Sequence, residues 1–160
     1  MDTQHLELLL KKSFHYLSFR SRTEQEVKNY LQKKIKKYNF QPSIVQQTIE
    51  YLKERNYIND KNFVEEYINS RLRSKPRSLY LIKLELSQKG ISDKDVEAYF
   101  LTNTINEQPV AENLLSRKFH TWERLPYLKK KKKAYDFLKS KGFSFDIIRE
   151  VFENVDKGQQ

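Results

Sequence analysis

Apolar residues recur in this chain at the intervals of an amphipathic helix, and the whole pattern then recurs at a longer interval. Ile91 is followed five positions on by Val96 and nine positions on by Phe100. Phe143 is followed in the same steps by Ile148 and Phe152, and Phe40 by Val45 and Ile49. Before these stand Leu86, Leu138 and Ile35, each four residues ahead of a turn residue: Gly90, Gly142 and Asn39. The anchors Phe40, Ile91 and Phe143 lie 51 and 52 residues apart. A helical period inside a repeat of about 50 residues describes a three-helix unit. The spacing therefore predicts an all-α protein, a tandem array of three three-helix repeats. The first covers 1–58, with helices at 4–19, 23–38 and 43–56. The second covers 59–107, with helices at 60–74, 79–89 and 93–104. The third covers 108–160, with helices at 108–121, 126–141 and 145–155. No Gly/Ser linker separates the repeats, so they are expected to stack into an elongated body, with one compact bundle as the alternative.

Local signals mark the helix ends. Lys89-Gly90-Ile91 and Lys141-Gly142-Phe143 each read as a cation in a last turn, a glycine in the left-handed cap and an apolar residue beyond it. Asn39 takes the same place in the first repeat, because asparagine tolerates that backbone next best after glycine. Thr23-Glu24-Gln25-Glu26 is a capping box, and Ser92 to Asp95 resembles one. Pro42 and Pro109 suit first helical turns, Asp60 suits an N-cap, and Pro76 and Pro126 fall between helices. Phe40, Phe63, Phe100, Phe143 and Phe152 are expected in the core. Tyr57, Tyr80 and Trp122 stand near helix junctions and are freer, though packing is still expected of them.

Composition narrows the classes. The 160 residues hold 31 Lys and Arg against 21 Asp and Glu, a net charge of +10. With 10 Tyr, 10 Phe and one Trp, the chain has too much apolar surface for a disordered segment. There is no cysteine, so disulfides and thiolate chemistry are excluded. No apolar run is long enough to span a membrane, and Met1 to Leu10 carries Asp2 and Glu7 and lacks the basic n-region and small-residue cleavage site of a secretory signal. A cytoplasmic, monomeric protein without cofactor or metal is expected. Three glycines, Gly90, Gly142 and Gly158, are too few and too scattered for a phosphate-cradling loop. His5, His15 and His120 form no ligand pair, Asp93, Asp95 and Glu97 read as dipole-favoured acids opening a helix, and no activated nucleophile stands out. The chain does not read as an enzyme.

Charge is sorted along each repeat. Residues 1–58 carry 11 basic and 6 acidic side chains, 59–107 carry 8 and 8, and 108–160 carry 12 and 7. Third helices are acidic, with Asp93, Asp95 and Glu97 and then Asp146, Glu150 and Glu153. The junctions of first and second helices are basic: Arg20 and Arg22; Arg71, Arg73, Lys75 and Arg77; Arg117, Lys118 and Arg124, followed by Lys129, Lys130, Lys131, Lys132 and Lys133. Leu17, Ile68 and Leu115 each precede a cation by three positions (Arg20, Arg71 and Lys118). In a repeat array such positions align along one edge, and a basic edge concentrates an elongated polyanion. These fourteen residues are the candidate contacts. The five consecutive lysines sit near a helix N-terminus, where cations are slightly unfavourable, which points to phosphate or acidic-protein contact.

Four stretches together resemble one family. They are Arg20-Ser21-Arg22-Thr23-Glu24-Gln25-Glu26-Val27; Tyr57 to Arg71, with Asp60, Phe63, Tyr67 and Ile68; Ile82 to Ile91, with Gly90; and Lys141 to Val151, with Gly142 and Phe143. Their order and separation are similar to those of the bacterial RecX family of recombination regulators, over about residues 6–155. The resemblance implies tandem three-helix repeats in an elongated, curved shape. It also implies binding to the RecA recombinase filament on single-stranded DNA, with lowered ATP hydrolysis and strand exchange, and no catalytic residues. Direct contact with DNA, single-stranded first and double-stranded second, is implied as well. Where the family often has glycine at the start of the second repeat's middle helix, this chain has Ser78, with Pro76 nearby. A free-standing DNA-binding protein of helix-turn-helix-like units is the alternative reading, and a scaffold for some other acidic protein is a third.

Overall fold

The computed structural model describes residues 2–158. Among them are nine α-helices: α1 (Asp2–Ser18), α2 (Glu24–Tyr38), α3 (Ser43–Glu54), α4 (Asp60–Ser74), α5 (Leu79–Gln88), α6 (Asp93–Thr102), α7 (Glu107–Phe119), α8 (Tyr127–Ser140) and α9 (Phe145–Gly158). A short 3-10 turn, His120–Trp122, follows α7. The described residues contain no β-strand. The expected triplets are all present; α4 has the expected bounds, and no other helix end is shifted by more than three residues.

The chain forms two compact units. One comprises the residues up to Glu66 with Leu86–Tyr99; the other comprises Tyr67–Glu85 with Phe100 onward. In the first unit, Leu9 of α1, Val27, Leu31 and Ile35 of α2, and Ile44, Val45, Ile49 and Leu52 of α3 close around one core. In the second, Ala111, Leu115 and Phe119 of α7 pack with Ala134 and Leu138 of α8 and with Ile148, Val151, Phe152 and Val155 of α9. The three- and four-residue spacing of these sets is the reason each segment is helical: no other backbone brings them to one face. Phe63, Phe143 and Phe152 are buried as expected. Phe40 and Phe100 are only half-buried: Phe40 stacks on His5 with ring centres 3.9 Å apart, and Phe100 lies under the Lys83 ammonium at 4.4 Å.

The turn residues behave alike. Asn39, Gly90 and Gly142 have φ of 54°, 82° and 84°. In each case the next amide reaches back five residues, from Phe40 to the Ile35 carbonyl, Ile91 to Leu86 and Phe143 to Leu138. This closes the helix end by the left-handed route and brings together the apolar pair on either side of it. A fourth such end, at Asn56 (φ 60°) with Tyr57 N–H bonded to the Leu52 carbonyl, is why α3 stops before residue 56.

Contacts between consecutive repeats use one plan twice. Within the first unit, the Asp60 carboxylate, at the start of α4, accepts from the Glu24 N–H that opens α2, at 2.9 Å. The Thr23 hydroxyl donates to the Lys89 carbonyl at 2.7 Å, and the Gly90 turn rests on Gln25. Within the second unit, the Glu107 carboxylate at the start of α7 accepts from the Leu79 N–H that opens α5, at 2.6 Å. The Ser78 N–H donates to the Lys141 carbonyl at 2.9 Å, and the Gly142 turn rests on Ser78 and Leu81. Asp60 thus caps α2 and not its own helix, correcting the sequence expectation. The α4 cap is Asn59, whose side chain accepts from the Asn62 N–H at 3.0 Å. The Thr23–Glu26 capping box is present as read. Ser92 accepts from the Asp95 N–H at 3.2 Å. Ser78, 1% exposed, is both the α5 cap and the seat of the neighbouring turn.

Replacing Gly90 with Val should therefore cost about 2–4 kcal/mol, from left-handed strain and from displacement of Gln25. A Cβ at Gly90 would stand 2.4 Å from the Gln25 Cβ. Urea melts of the variant check this, and an unchanged midpoint would show that the turn does not bear on α2.

Candidate nucleic-acid interface

The basic junctions of the two units share one plan, in which a carboxylate of the middle helix takes up several of the cations. In the first unit, Glu26 holds the Arg20 guanidinium through two bonds of 2.8 and 3.2 Å and has Lys89 at 3.6 Å. Burial raises the Glu26 pKa. The bond from Arg20, the Thr23 N–H and the charges of Arg20 and Lys89 more than offset this, so it lies below the ordinary carboxylate range. Arg22 lies over the Tyr16 ring at 4.1 Å, Tyr16 stacks on Tyr30 at 4.1 Å, and Lys34 lies over Tyr30 at 4.9 Å. This stack of cations and rings fixes Arg22 in place.

In the second unit, Glu85 organises a similar cluster. It accepts from the Tyr67 hydroxyl at 2.7 Å and from Arg71 at 2.9 Å, and it also binds Arg77. Burial raises the Glu85 pKa, but the Tyr67 hydrogen bond and the Arg71 and Arg77 charges leave it lowered. Arg73 and Lys75, one turn further along, are exposed and take no ion-pair partner among the described residues. Arg117, Lys118 and Arg124 are exposed as well. Arg117 borders a shallow groove with Leu72, Pro76, Pro109 and Leu114.

The five lysines divide by their position around α8. Lys130 turns inward, occupying a place that faces the core. Its ammonium stands 3.3 Å from the Asp156 carboxylate, which is itself buried, and 5.5 Å from the Phe119 ring centre. Lys132 pairs with Asp136 at 2.8 Å along the exposed surface, and Lys131 lies over Tyr135. Lys129 and Lys133 are exposed and take no ion-pair partner among the described residues. Trp122 packs against the core of this unit, edge-on to Phe137. Tyr57 and Tyr80 are 53% and 69% exposed.

Of the fourteen candidates, then, Arg20, Arg71, Arg77, Lys130 and Lys132 are held by carboxylates of the same chain. Arg22 and Lys131 are held over aromatic rings. Arg73, Lys75, Arg117, Lys118, Arg124, Lys129 and Lys133 remain exposed. Among the described residues no group of three or more His, Asp or Glu is placed to hold a metal ion, and no helix is long and apolar enough to cross a membrane.

Comparison with known proteins accounts for the repeat. Three family models match in order: the first, second and third three-helix domains of RecX, over residues 10–52, 59–99 and 106–152. The chain belongs to the RecX family. Relatives include the regulatory protein RecX of Streptococcus agalactiae serotype V, 35% identical over 89% of this chain and 53% of its own length. That of Streptococcus uberis is 33% identical over 89% and 54%. This chain spans about half the length of these RecX relatives. Among solved structures, RecX from Lactobacillus salivarius superposes with a TM-score of 0.81 at 26% identity, covering 96% of this chain and 98% of that one. A second RecX crystal structure gives 0.75 at 21% identity over 92% and 73%, a likeness of fold. The RecX relatives are named regulatory proteins, and the three-helix repeat read from the spacing is the RecX domain.

The Glu85 cluster carries a pH dependence. A carboxylate whose folded pKa lies below its unfolded value stabilises fully above the unfolded value, near 4.3, and the contribution fades as pH falls through the folded value. Glu85→Gln should lower stability at pH 7 by about 1–2 kcal/mol, discounted for partial exposure. It should also flatten the acid limb below about pH 4.5, where the ordinary carboxylate titrates. Melting temperatures of both proteins from pH 3 to 7 test this, and parallel acid limbs would place the acid sensitivity elsewhere.

Proposed function

We propose that this RecX-family chain binds the RecA filament on single-stranded DNA and lowers its ATP hydrolysis and strand exchange. The observation that carries the reading is the match of all three RecX domains. Physical support comes from the cations that internal carboxylates leave unused. A filament presents phosphates and carboxylates at regular intervals, and several weak contacts on one folded chain add through effective concentration. The exposed set Arg73, Lys75, Arg117, Lys118, Arg124, Lys129 and Lys133 supplies such contacts without a cost to the fold. Arg71 and Arg77 serve a different purpose, fixing the junction from which Arg73 and Lys75 project.

Two measurements test the proposal. Single-strand-dependent ATPase of RecA should fall when the protein is added near stoichiometry with filament sites, and an unaffected rate at several-fold excess would reject it. Arg73→Ala with Lys75→Ala should leave the melting temperature unchanged. If both side chains meet single-strand phosphates, the slope of log affinity against log salt should shrink by about 1.4. Arg71→Ala should instead lower the melting temperature. An unchanged slope in the double variant would remove this junction from the interface.

A further inference from the structure

We infer that a cleft bordered by Arg22, Asn56, Tyr57, Asn62 and Glu66 seats a single unstacked nucleobase of a bound strand. The inference rests on the proposed contact with single-stranded DNA and assigns a second kind of contact to it. The cleft, of about 240 Å³, lies within the first unit, between the end of α1, the turn from α3 to α4 and the first turns of α4. Leu17 and Phe63 give it apolar surface.

Its polar groups select against other ligands. One carboxylate, Glu66, and no histidine line it, too few donors for a metal ion. A phosphate would meet Arg22 but also the Glu66 carboxylate, which already accepts from the Ser21 hydroxyl at 2.8 Å. Carboxamides beside a carboxylate, a guanidinium and an aromatic ring instead match a heterocycle. Its edge offers N–H donors and carbonyl or ring-nitrogen acceptors side by side, and its faces stack.

The hydrogen-bond accounting shows which groups are available. Asn59 is committed at both ends: its oxygen accepts from the Asn62 N–H at 3.0 Å and its amide donates to the Asn56 oxygen at 2.8 Å. This holds Asn56 in its left-handed turn and leaves the Asn56 amide and the Asn62 carboxamide without partners among the described residues. Arg22 borders the cleft with its guanidinium held over the Tyr16 ring; its Nε, without a hydrogen-bond partner, is buried and closed off from solvent, so it is not counted among the groups that meet the base. Tyr57 is braced edge-on by Phe14 at 4.9 Å and is still 53% exposed. A ring so held offers a stacking surface at little further entropic cost.

The test compares oligothymidylate with a strand of equal length made only of abasic sites, by fluorescence anisotropy with the full chain. The two carry the same phosphates, so charge contacts cancel. The base-bearing strand should bind about tenfold tighter, the scale of one stacked and hydrogen-bonded base. Tyr57→Ala and Asn62→Ala should each reduce that preference several-fold, with affinity for the abasic strand and the melting temperature unchanged. Persistence of the full preference in both variants would overturn the cleft assignment. Equal affinity of wild type for the two strands would overturn it too and leave the charge contacts standing. Absence of binding to either strand would defeat the DNA reading and this one with it.

Discussion

The structure depends on a left-handed turn pressed against the start of a helix from the preceding repeat. At Gly90 and Gly142 the backbone leaves a middle helix with φ above 80°, and there is no room for a side chain against Gln25 or against Ser78 and Leu81. The close approach matters because a helix start has unsatisfied N–H groups and a helix end has unsatisfied carbonyls. Setting the two against each other lets the Thr23 hydroxyl donate to the Lys89 carbonyl and the Ser78 N–H to the Lys141 carbonyl, so each meeting satisfies one of these groups within the protein. A carboxylate from the next first helix completes the arrangement, Asp60 on α2 and Glu107 on α5. These acids favour the positive end of the helix they face, in addition to their hydrogen bonds. Burial pushes the Asp60 pKa up, the Glu24 N–H pulls it back, and the Glu24 and Asp95 charges push it further up. This contact works against its own solvation, and the Glu24 N–H is what offsets part of that cost.

That arrangement explains how charge is divided. A junction that must carry several cations for a polyanionic partner would repel itself if all of them were free. Glu26 and Glu85 each gather cations that come from different places in the chain. The neutralised cations then act as structure, while Arg73 and Lys75, displaced around α4 and beyond its end, keep their charge facing solvent. The net charge of +10 therefore overstates the charge that a partner would meet at the Glu26 and Glu85 junctions.

The fold was legible because its determinants are local. Helical spacing, left-handed caps and a capping box are each written within a few residues, and Gly90, Gly142, Asn39 and Thr23 all hold the conformations their neighbours imply. Asp60 misled because its residue type suits a cap, whereas the helix it caps begins 36 residues earlier. Such a partner is invisible to a local pattern. The same holds for the site. The basic junctions were evident as composition, but which cations remain exposed depends on Glu26 and Glu85, whose reach is set by packing. The one local hint was that both acids lie in middle helices soon after the arginines. The cleft at Asn56 and Asn62 carried no signal beyond turn-forming residues, because its polar character lies in what those amides leave unbonded.

The lysine run on α8 shows the limit of reading charge from composition most clearly. Its second member, Lys130, stands where the helical period demands an apolar residue, and a lysine there is tolerable only with a counter-ion inside. Asp156 supplies it, and the Phe119 ring covers the ammonium from the side. A buried pair of this kind seldom adds stability over a well-packed aliphatic residue, since desolvation consumes most of the attraction. Its orientation agrees with the rotation set by Ala134 and Leu138, at which Lys129 and Lys133, four residues apart, come out on one exposed face. The rotation of α8 that buries Ala134 and Leu138 and turns Lys130 inward is therefore the one that leaves Lys129 and Lys133 in solvent.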